Sequence, residues 1–237
     1  MDSRPELGRD AAGASGLPGR RRIERADADS LSRMLARAFF DDPVSAYLFP
    51  SERSRTRRLE RYFRFQLRTV FLPHGEGWTT ADLAAAALWV PPRESVRTPT
   101  LGEALAQLPA VLILGRNLSR AVELVRELDQ HHPRRPHWYL ATLGTDPDRQ
   151  GQGLGSALLG EVLPRCDGEG LPAYLESSKE ENLAFYERHG FAVQGRMTLP
   201  GTAVRLWFMW REPRPPGGPH EEPPPALPDR PGREVRG

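Results

Sequence analysis

The stretch from Trp138 to Val162 constrains the fold of this chain more than any other part of the sequence. Its first part, Trp138 to Thr145, is rich in aromatic and β-favouring residues and ends before Asp146-Pro147, so it predicts a buried strand. Glycines then alternate with other residues from Gly151 to Gly155, and apolar residues follow with helical spacing. The pattern predicts a strand, a glycine loop and a helix, in that order.

A glycine loop of this kind is suited to binding a diphosphate. Glycine lets the backbone approach a ligand closely, and the free N–H groups of a helix's first turn attract phosphate. A nucleoside-triphosphate loop is excluded, because Gly155 is followed by Ser156 and Ala157 and the only lysine is Lys179. The loop matches a dinucleotide-binding motif better, because Glu176 follows it at a suitable distance to hold a ribose. The third glycine of that motif, however, is missing. A tight turn without a ligand remains the simplest alternative for the loop alone.

Length and composition predict one folded domain between two tails. The chain has 237 residues, 38% of them hydrophobic, which is enough for a sizeable core. Residues 1–22 contain almost no large apolar side chain, and residues 212–237 contain nine prolines, so we predict disordered tails at both ends. The folded domain is expected to span residues 23–211.

Charge and cysteine content argue against several classes of protein. The 33 basic residues are interleaved with 31 acidic ones, so we expect no nucleic-acid partner. Cys166 is the only cysteine, which excludes an internal disulfide. No apolar run is long enough to cross a membrane and no signal peptide is apparent, so we expect a cytoplasmic protein without a membrane partner. Its oligomeric state is predicted to be monomer or homodimer.

The rest of the chain alternates helical and extended patterns. We predict a short strand at Ile23–Ala26, and a helix with Leu31, Met34 and Leu35 on its buried face that ends before Pro43. Further segments are a helix over residues 52–71, a hairpin over 78–90, two helices over 100–130, a strand over 173–177, a helix over 181–189, and strands over 191–197 and 203–210. Strands and helices around one mixed sheet predict an α/β (α+β) fold.

A second motif makes a family resemblance specific. The glycine loop, Gln150 to Gly155, is followed by Asn182-Leu183-Ala184-Phe185-Tyr186-Glu187-Arg188-His189-Gly190-Phe191. This pair of motifs resembles the GCN5-related N-acetyltransferase (GNAT) superfamily. Within it, residues 138–196 are most similar to puromycin N-acetyltransferases. The resemblance implies a single, mostly antiparallel mixed sheet with helices on both faces and a splayed central strand pair.

The resemblance also implies acetyl-CoA as cosubstrate, a primary amine as acceptor, and no metal. Its pantetheine arm would pair with the backbone around Leu143, Gly144 and Thr145. The diphosphate of acetyl-CoA would lie on the glycine loop, and Asn182 would contact acetyl-CoA near its thiol end. The loop positions are Gln150, Gly151, Gln152, Gly153, Leu154, Gly155 and Ser156.

The chemistry of acetyl transfer requires a proton source and a base. In the family, the residue that matches Tyr186 protonates the departing thiolate, and a phenol remains protonated at neutral pH. Glu176 is our candidate base, with Asp42 as the alternative. Trp89, Trp138 and Asp42 are candidate residues for acceptor binding. A core position for Tyr186 and a capping role for Asn182 or Asp42 are the structural alternatives.

Three functional hypotheses follow. The first is direct transfer of acetyl from acetyl-CoA to a small amine, such as an aminoacyl-nucleoside antibiotic, which would confer antibiotic resistance. The second keeps this chemistry with a peptide or protein amine. The third is a non-catalytic acetyl-CoA sensor whose Pro-rich tail recruits a partner. The adjacent His131 and His132 lack further ligands at metal-binding spacing, so we interpret them as loop residues.

Overall fold

A computed structural model of the protein describes residues 17–74, 76–92 and 113–215. Its strands are β1 (Arg20–Arg22), β2 (Glu76–Thr80), β3 (Ala85–Val90), β4 (Trp138–Thr145), β5 (Ala173–Ser177), β6 (Ala192–Thr198) and β7 (Arg205–Arg211). They form a seven-stranded sheet in the order β1-β2-β3-β4-β5-β7-β6. Neighbouring strands are antiparallel except for β4 and β5, which are parallel.

Helices cover both faces of this sheet. They are α1 (Ala28–Ala38), α2 (Pro43–Leu48), α3 (Glu52–Gln66), α4 (Leu118–His131), α5 (Leu154–Leu159), α6 (Leu163–Gly168) and α7 (Leu183–Glu187). One core lies between the sheet and α1 with α3, and a second lies between the sheet and α5 with α6. A smaller cluster joins α4 to Leu199 and Leu206. The predicted fold class, with helices on both faces, is confirmed. No helix among the described residues is long and apolar enough to span a membrane.

The central strands separate soon after they meet. β4 and β5 pair only at Trp138 with Ala173 and at Tyr139 with Tyr174, although β4 is eight residues long. On its other side, β4 pairs with β3 from Tyr139 to Thr145, with a register shift at Ala141. A bulge bends a strand and increases its twist, so it helps turn the second half of β4 away from β5. The predicted splayed pair is therefore present.

Most predicted elements lie close to the observed ones, and the differences have physical causes. The strand predicted at residues 23–26 is instead β1 at Arg20–Arg22, where the chain pairs with β2. The helix after the glycine loop begins at Leu154 and gives way to α6, which has Pro164 in its first turn. The first of the two helices predicted over residues 100–130 falls mostly outside the described residues, and the second is α4.

Helix α2 was not predicted, because Pro43 was interpreted only as the end of the preceding helix. Proline is also favoured in the first turn of a helix, where its missing N–H costs nothing. Asp42 precedes it as the N-cap, and one carboxylate oxygen accepts a hydrogen bond from the Ser45 amide at 2.9 Å. This capping places Asp42 at a fixed position between α1 and α2.

Gly144 in β4 allows α1 to pack tightly against the sheet. A Cβ atom at this position would lie 2.6 Å from Leu35 Cδ2 and 3.0 Å from Phe39 Cε2. We expect Gly144→Ala to destabilise the protein by about 1–3 kcal/mol, because α1 would have to move away. Urea unfolding would measure the change, with Gly168→Ala as control because no atom lies within 4 Å of its added Cβ. Equal stability of both variants would contradict this packing.

Candidate acetyl-CoA site

One cavity of about 650 Å³ opens where the glycine loop, the end of β4 and α7 meet. Twelve of the sixteen predicted site residues line this cavity. They are Asp42, Leu143, Gly144, Thr145, Gln150, Gly151, Gly153, Leu154, Gly155, Ser156, Asn182 and Tyr186. The cavity therefore joins the predicted diphosphate loop to the predicted acid in one space.

The glycine loop has a backbone conformation that requires glycine. Gly151 and Gly153 have φ angles of 75° and 78°, in the left-handed region, and Gly153 is the N-cap of α5. Among the described residues, no backbone carbonyl accepts a hydrogen bond from the N–H groups of residues 151–156, whereas Ala157 donates to Gly153. Such free donors at a helix start are suited to a phosphate group.

The third glycine brings the loop helix against α7. A Cβ atom at Gly155 would lie 3.2 Å from Phe185 Cζ, so this position has almost no room for a side chain. Phe185 also lines the cavity and packs edge-on against Tyr186, with ring centroids 5.1 Å apart. The Phe185 ring therefore links the cofactor loop to the helix that carries the predicted acid.

Tyr186 lies at the inner end of this arrangement. Its side chain is almost completely buried but lines the cavity. Burial, and then the nearby carboxylate of Asp42, raise the pKa of Tyr186 above its ordinary value. The hydroxyl is therefore protonated throughout the neutral pH range, as a proton donor must be.

Asp42 lies close to Tyr186, and both of its oxygens are occupied. One accepts from the Ser45 amide and the other accepts from the hydroxyl of Ser178, which follows β5. Asp42 is buried while it lines the cavity. It fixes the start of α2 against the segment that leads from β5 to α7.

Three basic side chains line the cavity without having been predicted. They are Arg149, Lys179 and Arg188, and the acidic Glu181 lines the cavity with them. Arg149 donates to the side chain of Gln152 at 2.8 Å, and the Arg188 guanidinium lies over the Phe185 ring. Basic groups beside free N–H donors strengthen the attraction for a polyphosphate. Their position next to the two motifs was the only signal available in the sequence.

A histidine connects α7 to the loop helix from outside the cavity wall. His189 Nε2 lies 3.0 Å from Ser156 Oγ. Burial, and then the positive charge of Arg188, lower the pKa of His189 to about 4. The imidazole is therefore neutral at physiological pH and can fix Ser156 in a tautomer-dependent hydrogen bond.

Glu176 does not line this cavity, so the structure leaves its predicted role as base untested. Its side chain is 8% exposed and lies 3.7 Å, Oε1 to Nδ1, from His132. Glu176 follows Tyr174 by two residues on β5, so both side chains lie on the same face, just past the point where β4 and β5 separate. This face is opposite to that of Leu175, which packs in the core with α5 and α6.

Three predicted site residues lie elsewhere. Trp89 and Trp138 were predicted to bind the acceptor, but both are buried in the core with α5 and α6 and neither lines the cavity. The Trp138 indole donates to Glu169 at 2.9 Å. Gln152 is exposed and pairs with Arg149 rather than lining the cavity. The structure thus places both tryptophans in the hydrophobic core, and their role in acceptor binding stays an untested prediction.

Neither Cys166 nor the adjacent His131 and His132 line the cavity. Cys166 is fully buried in α6, and burial raises the pKa of its thiol to about 12. His131 and His132 face different partners, since His131 stacks on Phe208 and His132 faces Glu176. Across the described part of the chain, no group of three or more potential ligands is arranged to hold a metal ion.

Comparisons with known proteins agree with this geometry. A family model described as the acetyltransferase (GNAT) family matches residues 110–191, which include the loop and Tyr186. An uncharacterised N-acetyltransferase of Schizosaccharomyces pombe is 28% identical over 211 residues, covering 81% of this chain and 83% of that protein.

Two solved structures share the fold. One, from Corynebacterium glutamicum, is described as histone acetyltransferase HPA2 and related acetyltransferase. It is 22% identical, has a TM-score of 0.62, and covers 86% of this chain and all (100%) of that chain. Arylalkylamine N-acetyltransferase 2 from Aedes aegypti is 12% identical with a TM-score of 0.55, covering 82% of this chain and 98% of that one. The protein described here is an acetyl-CoA-dependent N-acetyltransferase, and its fold is similar to that of GNAT acetyltransferases.

Proposed function

We propose that this enzyme transfers acetyl from acetyl-CoA directly to the primary amine of a small molecule, of the aminoacyl-nucleoside class to which puromycin belongs. The single observation that supports direct transfer is the cavity that joins the glycine loop to Tyr186 and Asp42. The acceptor class rests on the sequence resemblance of residues 138–196 to puromycin N-acetyltransferases. A role in antibiotic resistance would follow from that acceptor.

Acetyl-CoA would lie along the cavity with its diphosphate at the glycine loop and its thioester towards α7. Its diphosphate accepts from the free N–H groups of residues 151–156, with Arg149 and Arg188 adding positive charge. The pantetheine arm then pairs with β4 around Leu143 and Thr145, where the departure of β5 has left the strand edge unpaired. Asn182 at the start of α7 lies beside the thiol end.

Tyr186 is the proposed general acid. Attack of an amine on the thioester forms a C–N bond and breaks the C–S bond, which leaves a thiolate that needs a proton. The Tyr186 hydroxyl is protonated at neutral pH because burial raises its pKa, so it can supply that proton. Cys166 takes no part, since its thiol is buried in the core away from the cavity. The acetyl group therefore passes to the amine without an acyl-enzyme intermediate.

Glu176 is the proposed base on the acceptor side. A primary amine with a pKa of about 8 is partly neutral at neutral pH, so a modest base is sufficient. Glu176 lies where β4 and β5 separate, on the face that carries α1 and α3, so an acceptor entering from that face would meet it. Asp42 has both oxygens occupied, which favours Glu176 as the base and leaves Asp42 to shape the acceptor entrance.

A panel of acceptors tests the substrate class. The enzyme would be incubated with acetyl-CoA and, separately, puromycin, simple arylalkylamines and peptides with free amino groups, and products would be analysed by mass spectrometry. We expect the mass gain of one acetyl group on puromycin or a related small amine, with much slower peptide acetylation. Preferential peptide acetylation would assign the peptide class instead. Tight acetyl-CoA binding with no acetylated product would support the sensor.

Glu176→Gln tests the base. We expect this change to reduce kcat/KM chiefly below about pH 8 and to spare it at higher pH, where the acceptor is already neutral. The control is Glu180→Gln, a nearby exposed carboxylate that does not line the cavity. A pH profile parallel to that of the wild type between about pH 6 and 9 would reject Glu176 and move the proposal to Asp42.

A further inference from the structure

A cluster of ionisable side chains surrounds Glu176 at the point where β4 and β5 separate. It consists of Glu176, His132, His137, Tyr139 and Tyr174, which we name the Glu176 cluster. The His132 ring packs edge-on against both tyrosine rings, with centroids 5.2 Å from Tyr139 and 5.1 Å from Tyr174. The cluster lies on the sheet face that an acceptor would reach.

The carboxylate of Glu176 lies largely buried beside the two tyrosines of the cluster. Its side chain is 8% exposed, and a buried charge of this kind needs a partner. The pKa values of both tyrosines are raised, first by burial and then by the charge of Glu176, so both phenols remain neutral beside it. The Tyr174 hydroxyl is itself buried and has no hydrogen-bond partner among the described residues. The tyrosines therefore do not carry protons away from Glu176 at neutral pH.

His132 is the group in this cluster that connects Glu176 to solvent. Its side chain is 36% exposed, whereas Glu176 is nearly buried, and Nδ1 lies 3.7 Å from Oε1. That distance is within ion-pair range and slightly longer than a hydrogen bond, so a small rotation or one bridging water would complete the path. An imidazole exchanges protons readily near neutral pH.

The two neighbouring histidines cannot replace His132. His131 Nδ1 lies 2.8 Å from its own helix carbonyl at Glu127, and its ring stacks on Phe208. His137 Nδ1 lies 2.7 Å from the Arg135 carbonyl, and burial lowers the pKa of its imidazole. Of these three histidines, His132, which directly follows α4, is therefore the one that both faces Glu176 and reaches solvent.

We propose that His132 is a proton outlet for Glu176 in the acetyl-transfer reaction. His132 acts through Glu176 and is therefore a positioning residue, not a catalytic one. The inference rests on the proposed function of Glu176. An acceptor ammonium gives one proton to the Glu176 carboxylate, and His132 passes it to solvent. The neutral amine then forms the C–N bond, the C–S bond breaks, and the thiolate takes the proton of Tyr186. After the C–N bond has formed, the attacking nitrogen carries one surplus proton, which passes to the Tyr186 phenolate and restores the acid. The reaction therefore releases one proton overall.

The first test is a pH profile of His132→Asn, which keeps a polar side chain but cannot titrate. We expect kcat/KM to fall about tenfold near pH 7 and to approach the wild-type value near pH 9, where the amine is largely neutral. His131→Asn is the matched control and should follow the wild-type profile. The groups that face His132 are His137, Tyr139, Tyr174 and Glu176, and the tyrosines do not titrate in this range.

The second test is chemical rescue. In His132→Ala, added imidazole should restore kcat/KM in a saturable way, whereas His131→Ala should not respond. A fall in activity that is uniform with pH and insensitive to imidazole would show a structural role and overturn the proposal, as would wild-type activity in both His132 variants. Both tests use an amine that the wild-type enzyme acetylates. If the wild type acetylates no amine, that result contradicts the proposed function and not the role of His132.

Discussion

Tyr186→Phe should lower kcat by about 10² to 10⁴, because it removes the proton that the departing thiolate needs. Binding of acetyl-CoA should change little, since the hydroxyl is required only as the C–S bond breaks. Phenylalanine fills the same space beside Phe185 and Phe191, so the packing of α7 should be retained. Steady-state kinetics with saturating acetyl-CoA would measure kcat, and calorimetry would measure the dissociation constant.

Tyr62→Phe is a suitable control for this prediction. The Tyr62 hydroxyl accepts a hydrogen bond from Gln66 at 3.2 Å and does not line the cavity. Its removal should leave kcat unchanged while matching the chemical change at Tyr186. A kcat within about threefold of the wild type for Tyr186→Phe would make Tyr186 a structural residue, since general acids contribute far more.

Gly153→Val should weaken acetyl-CoA binding by about 100-fold or more. The φ angle of 78° is unfavourable for a β-branched residue, so the loop must change conformation and its N–H groups lose their alignment. Loss of about two hydrogen bonds to a charged diphosphate corresponds to roughly 3 kcal/mol, which is about two orders of magnitude in affinity. Calorimetric titration with acetyl-CoA would measure the effect.

Gly170→Val separates backbone strain from the loss of the site. Gly170 also has a left-handed φ angle, of 64°, but it lies in the turn before β5 and does not line the cavity. Gly170→Val should therefore lower the melting temperature by about as much as Gly153→Val does, while keeping wild-type affinity for acetyl-CoA. Unchanged affinity in a folded Gly153→Val variant would refute the placement of the diphosphate on this loop.

The sequence allowed the half of the site formed by local motifs to be predicted. The glycine loop and its helix are specified by neighbours in the chain, because positive φ angles and an N-terminal turn are local features. Tyr186 was predicted only through the resemblance of the second motif to that of GNAT acetyltransferases. Phe185 and Arg188, on either side of it, were missed because their roles depend on contact with Gly155 and with the cavity.

The acceptor side could not be predicted in the same way. An aromatic residue on a strand can face either side of the sheet, and only the register decides which. Trp89 and Trp138 face the core with α5 and α6, whereas Tyr139, one residue away from Trp138, faces the Glu176 cluster. His132 became relevant only when α4 brought it against β5, more than forty residues further along the chain. Contacts of this range leave no pattern in a single sequence.

The proposed direct transfer is tested most directly by initial velocities of thiol release, with acetyl-CoA and the best amine of the panel both varied. If donor and acceptor occupy the cavity together, double-reciprocal plots should intersect, and thiol release should depend on the amine. Parallel lines would indicate an acyl-enzyme intermediate, and thiol release that is independent of every amine would contradict the assignment of this site to amine acetylation.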